Sequence, residues 1–200
     1  SNQSLYEMQQ LGCQLTAEQI FNLNQPSLKD AIVQFANGCT GELISPKGLL
    51  LTNHHCGLGY VQALASVEHD YLTGGFWALA MQEELPCEGL YVSFLANVED
   101  VTDKVLANVT NENREEVINA NIEALEEEIK GDRDVRVEIV PFYSGNQYIM
   151  FEYDVYRDVR LVACPPWGIG KYGADTDNWT WPRHKGDFCI FRVYTSVNGK

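Results

Sequence analysis

Residues 39–57 read Cys39-Thr40-Gly41-Glu42-Leu43-Ile44-Ser45-Pro46-Lys47-Gly48-Leu49-Leu50-Leu51-Thr52-Asn53-His54-His55-Cys56-Gly57. Two short apolar runs, Gly41 to Ser45 and Leu49 to Thr52, flank the tight-turn signal Ser45-Pro46-Lys47-Gly48, which is the pattern of a β-hairpin. One cysteine stands just before the first run and another just after the second. A hairpin brings its two ends together, so Cys39 and Cys56 are placed to bond. Closing a loop of about 18 residues stabilises a fold by about 3 kcal/mol through chain entropy, and here it also fixes the backbone beside His55.

A histidine set directly against the second cysteine of such a hairpin resembles the chymotrypsin-like proteases. An imidazole suits general-base work because its ordinary pKa, about 6.5, lies near operating pH. His55 is therefore the expected base. His54 is the weaker choice, because the pattern sets the base against the cysteine. A metal-dependent hydrolase is an alternative, with His54, His55, Cys56, His184 and Cys189 as ligands. Adjacent histidines rarely point at one ion, and the usual zinc spacings are absent, so the expected metal set is none.

Outward from the hairpin, residues 1–30 read as short helices. Leu5, Met8 and Leu11 keep a helical spacing, and Thr16-Ala17-Glu18-Gln19 has the form of a capping box. Ser27-Leu28-Lys29-Asp30 is a weaker case. Residues 54–66 lose the β texture and predict a helical turn. Tyr91 to Asn97 resumes a strand. Glu112 to Lys130 predicts a long helix, with Val117, Ile118, Ile122, Leu125 and Ile129 as its apolar stripe. Strand-like runs follow at 134–143, 147–156 and 158–163, then a loop from Pro165 to Gly173 and a last strand from Phe188 to Tyr194. Many short strands with turns between them predict a mainly β, antiparallel barrel with helical insertions. The expected division is an amino-terminal helical segment, 1–30, packed on a barrel formed by 31–200.

A second segment carries chemistry: Gly170 to Tyr194, which contains Asp175-Thr176-Asp177-Asn178-Trp179-Thr180-Trp181-Pro182-Arg183-His184 and then Gly186-Asp187-Phe188. Asp187 heads an apolar strand after a glycine. An acid there can lie beneath a histidine, hold its tautomer and stabilise the imidazolium. Asp175 and Asp177 stay open as competing acids on the residues alone. His69 reads as a packed or hydrogen-bonded histidine, and Trp181, Pro182 and Arg183 as structural.

Taken together, the words SLKDAIVQF (27–35), CTGE (39–42), TNHHCG (52–57), SVEHDYLT (66–73), GFWA (75–78), ELP (84–86) and DTDNWTWPRH (175–184) with GDF (186–188) resemble the bacterial serine dipeptidyl-peptidases. The likeness runs from Met8 to Tyr194. It implies a chymotrypsin-like double β-barrel, of which this chain is the first barrel, and a large helical domain between the barrels. It implies release of dipeptides from the free amino end of oligopeptides. His55 matches the family's base and Asp187 its aspartate. Asn178 and Trp179 match residues that hold the substrate ammonium, a role open to an amide oxygen and an indole face. No cofactor is implied.

The chain departs from the family in one respect. No serine here sits in the Gly-Asn-Ser-Gly-Ser context the family uses for its nucleophile. Without the attacking oxygen no acyl-enzyme forms, so this polypeptide alone is expected to be inactive. A non-catalytic module that grips peptide amino ends is the alternative of a different class. Asn198-Gly199-Lys200 follows directly on a strand, as in a cut through a longer protein, and Ser1-Asn2-Gln3-Ser4 shows no apolar leader.

Composition bounds the partners. The 200 residues carry 28 acids against 14 Lys and Arg, a net charge of −14. Nucleic acid and anionic membranes repel such a chain. No run approaches the roughly 20 apolar residues of a membrane span. Six cysteines with no CxxC pair fit an oxidising compartment, so a periplasmic, secreted or surface location is expected. A homodimeric parent is allowed, and nothing in the sequence selects an oligomeric state.

Overall fold

The structure is a computed structural model, and it describes residues 2–36, 38–170 and 185–195. In chain order the elements are α1 (Asn2–Gln10), α2 (Ala17–Ile20), β1 (Ile32–Phe35), β2 (Cys39–Leu43), β3 (Leu49–Thr52), α3 (His54–Leu64), α4 (Tyr71–Gly74), β4 (Phe76–Trp77), β5 (Leu85–Pro86), β6 (Val92–Asp100), α5 (Thr102–Val105), α6 (Arg114–Lys130), β7 (Val135–Phe142), β8 (Gln147–Tyr156), β9 (Asp158–Cys164), α7 (Trp167–Gly170) and β10 (Cys189–Tyr194). The chain is mainly antiparallel β with helices, consistent with the chymotrypsin-like barrel the sequence predicts.

Two compact units emerge, and they divide the chain differently from the sequence reading. One is Ala31–Ser93 with Tyr156–Lys200, and the other is Ser1–Asp30 with Phe94–Val155. Residues 94–155 contribute a hydrophobic core of their own to the second unit. Val101, Val105, Ile118, Ile139, Tyr148 and Met150 are buried together there. The long helix α6 supplies Ile118, Ile122, Leu125 and Ile129 to this core, four of the five residues of the stripe its periodicity predicts; Val117, the fifth, is half-buried and is not among the side chains packed there. Glu126 accepts the Ile139 amide at 3.0 Å, and Asn121 donates to the Val105 and Ala107 carbonyls at 2.9 and 3.0 Å. In the same unit the capping box at Thr16 forms in both directions.

The unit that carries the predicted site orders its strands β9-β10-β3-β2-β1, with β4 and β5 also on β9. Each neighbouring pair is antiparallel. Strand periodicity sends Leu50 and Thr52 of β3, Phe191 and Cys189 of β10, and Val159, Leu161 and Ala163 of β9 inward. Phe35 and Phe191 meet with ring centroids 5.0 Å apart. The β2–β3 turn closes by Gly48 N–H donating to Ser45 at 3.1 Å. Only glycine suits Gly48: its φ is +75°, and a Cβ there would lie 2.5 Å from the Val193 carbonyl oxygen. Where the sequence predicts only a loop after Pro165, the chain first makes one helical turn, Trp167–Gly170, with the Ile169 and Gly170 amides donating to Pro166.

Candidate active site

The hairpin delivers its second cysteine into α3. Cys39 and Cys56 are disulfide-bonded with Cα atoms 6.1 Å apart, the pairing the hairpin predicts. Gly57 then lets α3 settle on β10: a Cβ there would stand 3.0 Å from the Phe191 ring and 3.1 Å from Cys189 Sγ. β10 in turn is registered on β3, with Cys189 opposite Thr52. Asp187 lies two residues before Cys189 and His55 three after Thr52. The same pairing therefore brings acid and imidazole together across 132 positions of sequence.

His55 meets the Asp187 carboxylate twice. Its backbone N–H donates to Oδ1 at 3.2 Å, and its ring Nδ1 lies 3.1 Å from Oδ2 and 3.3 Å from Oδ1. The His55 side chain is 66% exposed while that of Asp187 is only 13% exposed. The imidazole is thus supported from behind by the carboxylate and open to solvent in front. Burial works against the charge on Asp187. The His55 main-chain and ring hydrogen bonds and the Lys185 ammonium, 3.8 Å from Oδ2, outweigh it and hold the carboxyl below its ordinary range. Asp187 is thus an anion at neutral pH, able to keep the proton of His55 on Nδ1.

His54 faces inward. It is 2% exposed, and its Nε2 has no hydrogen-bond partner among the described residues. Burial, opposed by Asp187 and a hydrogen bond to the Pro165 backbone, pushes its pKa down and keeps it neutral. The residue set aside as a base is a buried wall of the site. His69 stacks on Tyr71, at 5.8 Å between centroids and 8° between planes. The metal alternative loses Cys56, because a disulfide sulfur has no thiolate to offer. The Cys39, His55 and Cys56 grouping is that disulfide beside His55. Asn178, Trp179, Asp175, Asp177 and His184 lie outside the described residues.

Sequence reasoning missed two neighbours of Asp187. Lys185 is one. The other is Asn53, whose Nδ2 donates to the Asp187 carbonyl at 3.3 Å and to Oδ2 at 3.4 Å. The only signal was the place of Asn53 inside TNHHCG and that of Lys185 between DTDNWTWPRH and GDF.

The peptidase S46 family matches residues 1–200, the whole chain. This chain belongs to that family. Among curated relatives, an Asp/Glu-specific dipeptidyl-peptidase of Flavobacterium psychrophilum is 50% identical over 196 residues, covering 96% of this chain and 28% of the relative. Dipeptidyl-peptidase 7 of Phocaeicola vulgatus is 48% identical over 202 residues, again 96% of this chain and 28% of that protein. The crystal structure of Porphyromonas endodontalis DPP11 in complex with the dipeptide Arg-Glu superposes with a TM-score of 0.89 at 48% identity. It covers 100% of this chain and 30% of that one. The chain therefore spans about 28% of the length of the curated relatives it matches.

Proposed function

We propose that the polypeptide to which this chain belongs is a serine-type dipeptidyl-peptidase that releases dipeptides from the free amino end of oligopeptides. The observation that carries the reading is the His55–Asp187 contact, 3.1 Å from Nδ1 to Oδ2, in a chain of the S46 family. Asp187 holds the imidazole as the Nδ1–H tautomer, so that Nε2 carries the lone pair. That nitrogen takes the proton of a serine hydroxyl as the oxygen attacks the peptide carbonyl, and then gives it to the leaving amine. The serine, the oxyanion donors and the groups that choose the side chain at the cut are supplied from outside this chain. Asn178 and Trp179 bind the substrate ammonium, the first through its amide oxygen and the second through its ring face.

A location outside the cytoplasm, in the periplasm or beyond, belongs to the same proposal. It is supported by the Cys39–Cys56 disulfide, a bond that persists in oxidising compartments. Oligopeptides are the expected partners of a monomeric or homodimeric enzyme.

The test is a full-length assay on fluorogenic dipeptides with free and blocked amino ends, beside His55→Ala and Asp187→Asn. The expected result is cleavage of the free substrates alone, with each variant lowering kcat on the order of 10⁴-fold. Wild-type turnover by Asp187→Asn would sink the dyad. Equal cleavage of blocked substrates would sink the ammonium role of Asn178 and Trp179.

A further inference from the structure

We infer that Asn53 is a positioning residue for Asp187, acting on the reaction through that carboxylate rather than by touching substrate. The inference rests on the peptidase reading above. Asn53 occupies the N-cap of α3, an 11-residue helix, with extended backbone at φ −70° and ψ 150°. An asparagine in that position ordinarily accepts, through Oδ1, an amide proton from the first turn of its own helix. Asn53 makes no such bond. Asp187 caps the helix in its place, since the His55 N–H, an amide of the first turn, donates to Oδ1 of the aspartate.

The exchange frees the Asn53 amide, and among the described residues its Nδ2 makes two contacts with the same partner. Nδ2 donates to the main-chain oxygen of Asp187 at 3.3 Å and to its Oδ2 at 3.4 Å. Two acceptors fix the orientation of the amide, because its NH2 end can donate to a carbonyl and a carboxylate while its oxygen can donate to neither. With the His55 amide on Oδ1 and Asn53 on Oδ2, the carboxylate cannot turn about its own axis without losing a bond. That plane is the one the imidazole must share to keep its proton on Nδ1. The donor is also neutral. Unlike the Lys185 ammonium 3.8 Å from the same oxygen, it orients the carboxylate without adding a charge that competes for it.

The test uses Asn53→Ser and Asn53→Asp in the full-length protein, beside His55→Ala. Serine and aspartate are both strong N-cap residues, so the start of α3 is kept in each. Asn53→Ser is expected to melt at the wild-type temperature. Its kcat falls about ten- to a hundredfold, in the range found when an outer hydrogen-bond partner is removed, with KM within about twofold. Asn53→Asp is expected to move the acid limb of the kcat/KM profile to higher pH, because a second carboxylate favours the protonated imidazole. Asn53→Ser at wild-type kcat, a loss confined to KM, or an unmoved acid limb in Asn53→Asp overturns the inference. Full activity in His55→Ala is a different result, and it overturns the peptidase reading itself.

Discussion

Gly170 lies against the ring of His54 with no room for a methyl group: a Cβ there would stand 2.5 Å from His54 Cγ and 2.7 Å from Nδ1. The imidazole is buried, so it cannot swing into solvent to make space. Gly170→Ala is therefore expected to cost about 1–3 kcal/mol, the usual range for overpacking. The measurement is denaturant unfolding of wild type and variant. An alanine variant of equal or higher stability would show that this contact is not tight.

Acid should weaken the fold in two separate windows. His54 has a lowered pKa, so below its ordinary value of about 6.5 the unfolded chain binds a proton that the folded chain refuses. Stability from His54 is whole above that pH and is lost as pH falls toward the folded value. Asp187 is lowered as well, and its contribution is whole above about pH 4 and lost as pH falls through its folded value. His54→Gln is expected to flatten the melting temperature against pH below about 6.5, and Asp187→Asn to flatten it below about 4. Identical pH curves for wild type and both variants would contradict both signs.

Cys39 and Cys56 close a loop with a sequence separation of 17, and the second cysteine adjoins His55. Replacing both with alanine is expected to cost about 3 kcal/mol by chain entropy. Reductant should lower the wild-type melting temperature and leave the double variant unmoved. Activity should fall with the wild-type melt, because the same bond anchors the first turn of α3.

Glu84 is nearly enclosed, and Arg192 donates to it at 2.9 and 3.1 Å through Nε while the Tyr194 hydroxyl donates at 2.7 Å. Arg192 also donates to the Lys47 carbonyl in the hairpin turn. Side-chain exposures of 11% and 2% leave the pair little water. Arg192→Met strands the carboxylate and is expected to cost about 3–5 kcal/mol. Tyr194→Phe removes the hydroxyl bond alone and should cost about 1–2 kcal/mol. Near-neutral behaviour of Arg192→Met would show that water reaches Glu84.

The local parts of this protein are written in short windows of its sequence. The 39–57 stretch specifies a hairpin, its disulfide and the histidine beside it, because a tight turn and two nearby cysteines need nothing distant to meet. The α6 stripe and the Thr16 box are legible for the same reason. What the tertiary structure decided is the choice among partners far apart in the chain. On the residues alone Asp187 is favoured but Asp175 and Asp177 stay open, and it is the pairing of Cys189 with Thr52 that sets Asp187 against His55. The fate of Asn53 is of the same kind. A local rule makes it a helix cap, and a carboxylate from 134 residues away turns its amide outward from that role. Strand register is settled by buried contacts such as Phe191 on Gly57 and on Phe35, and no window of neighbouring residues contains them.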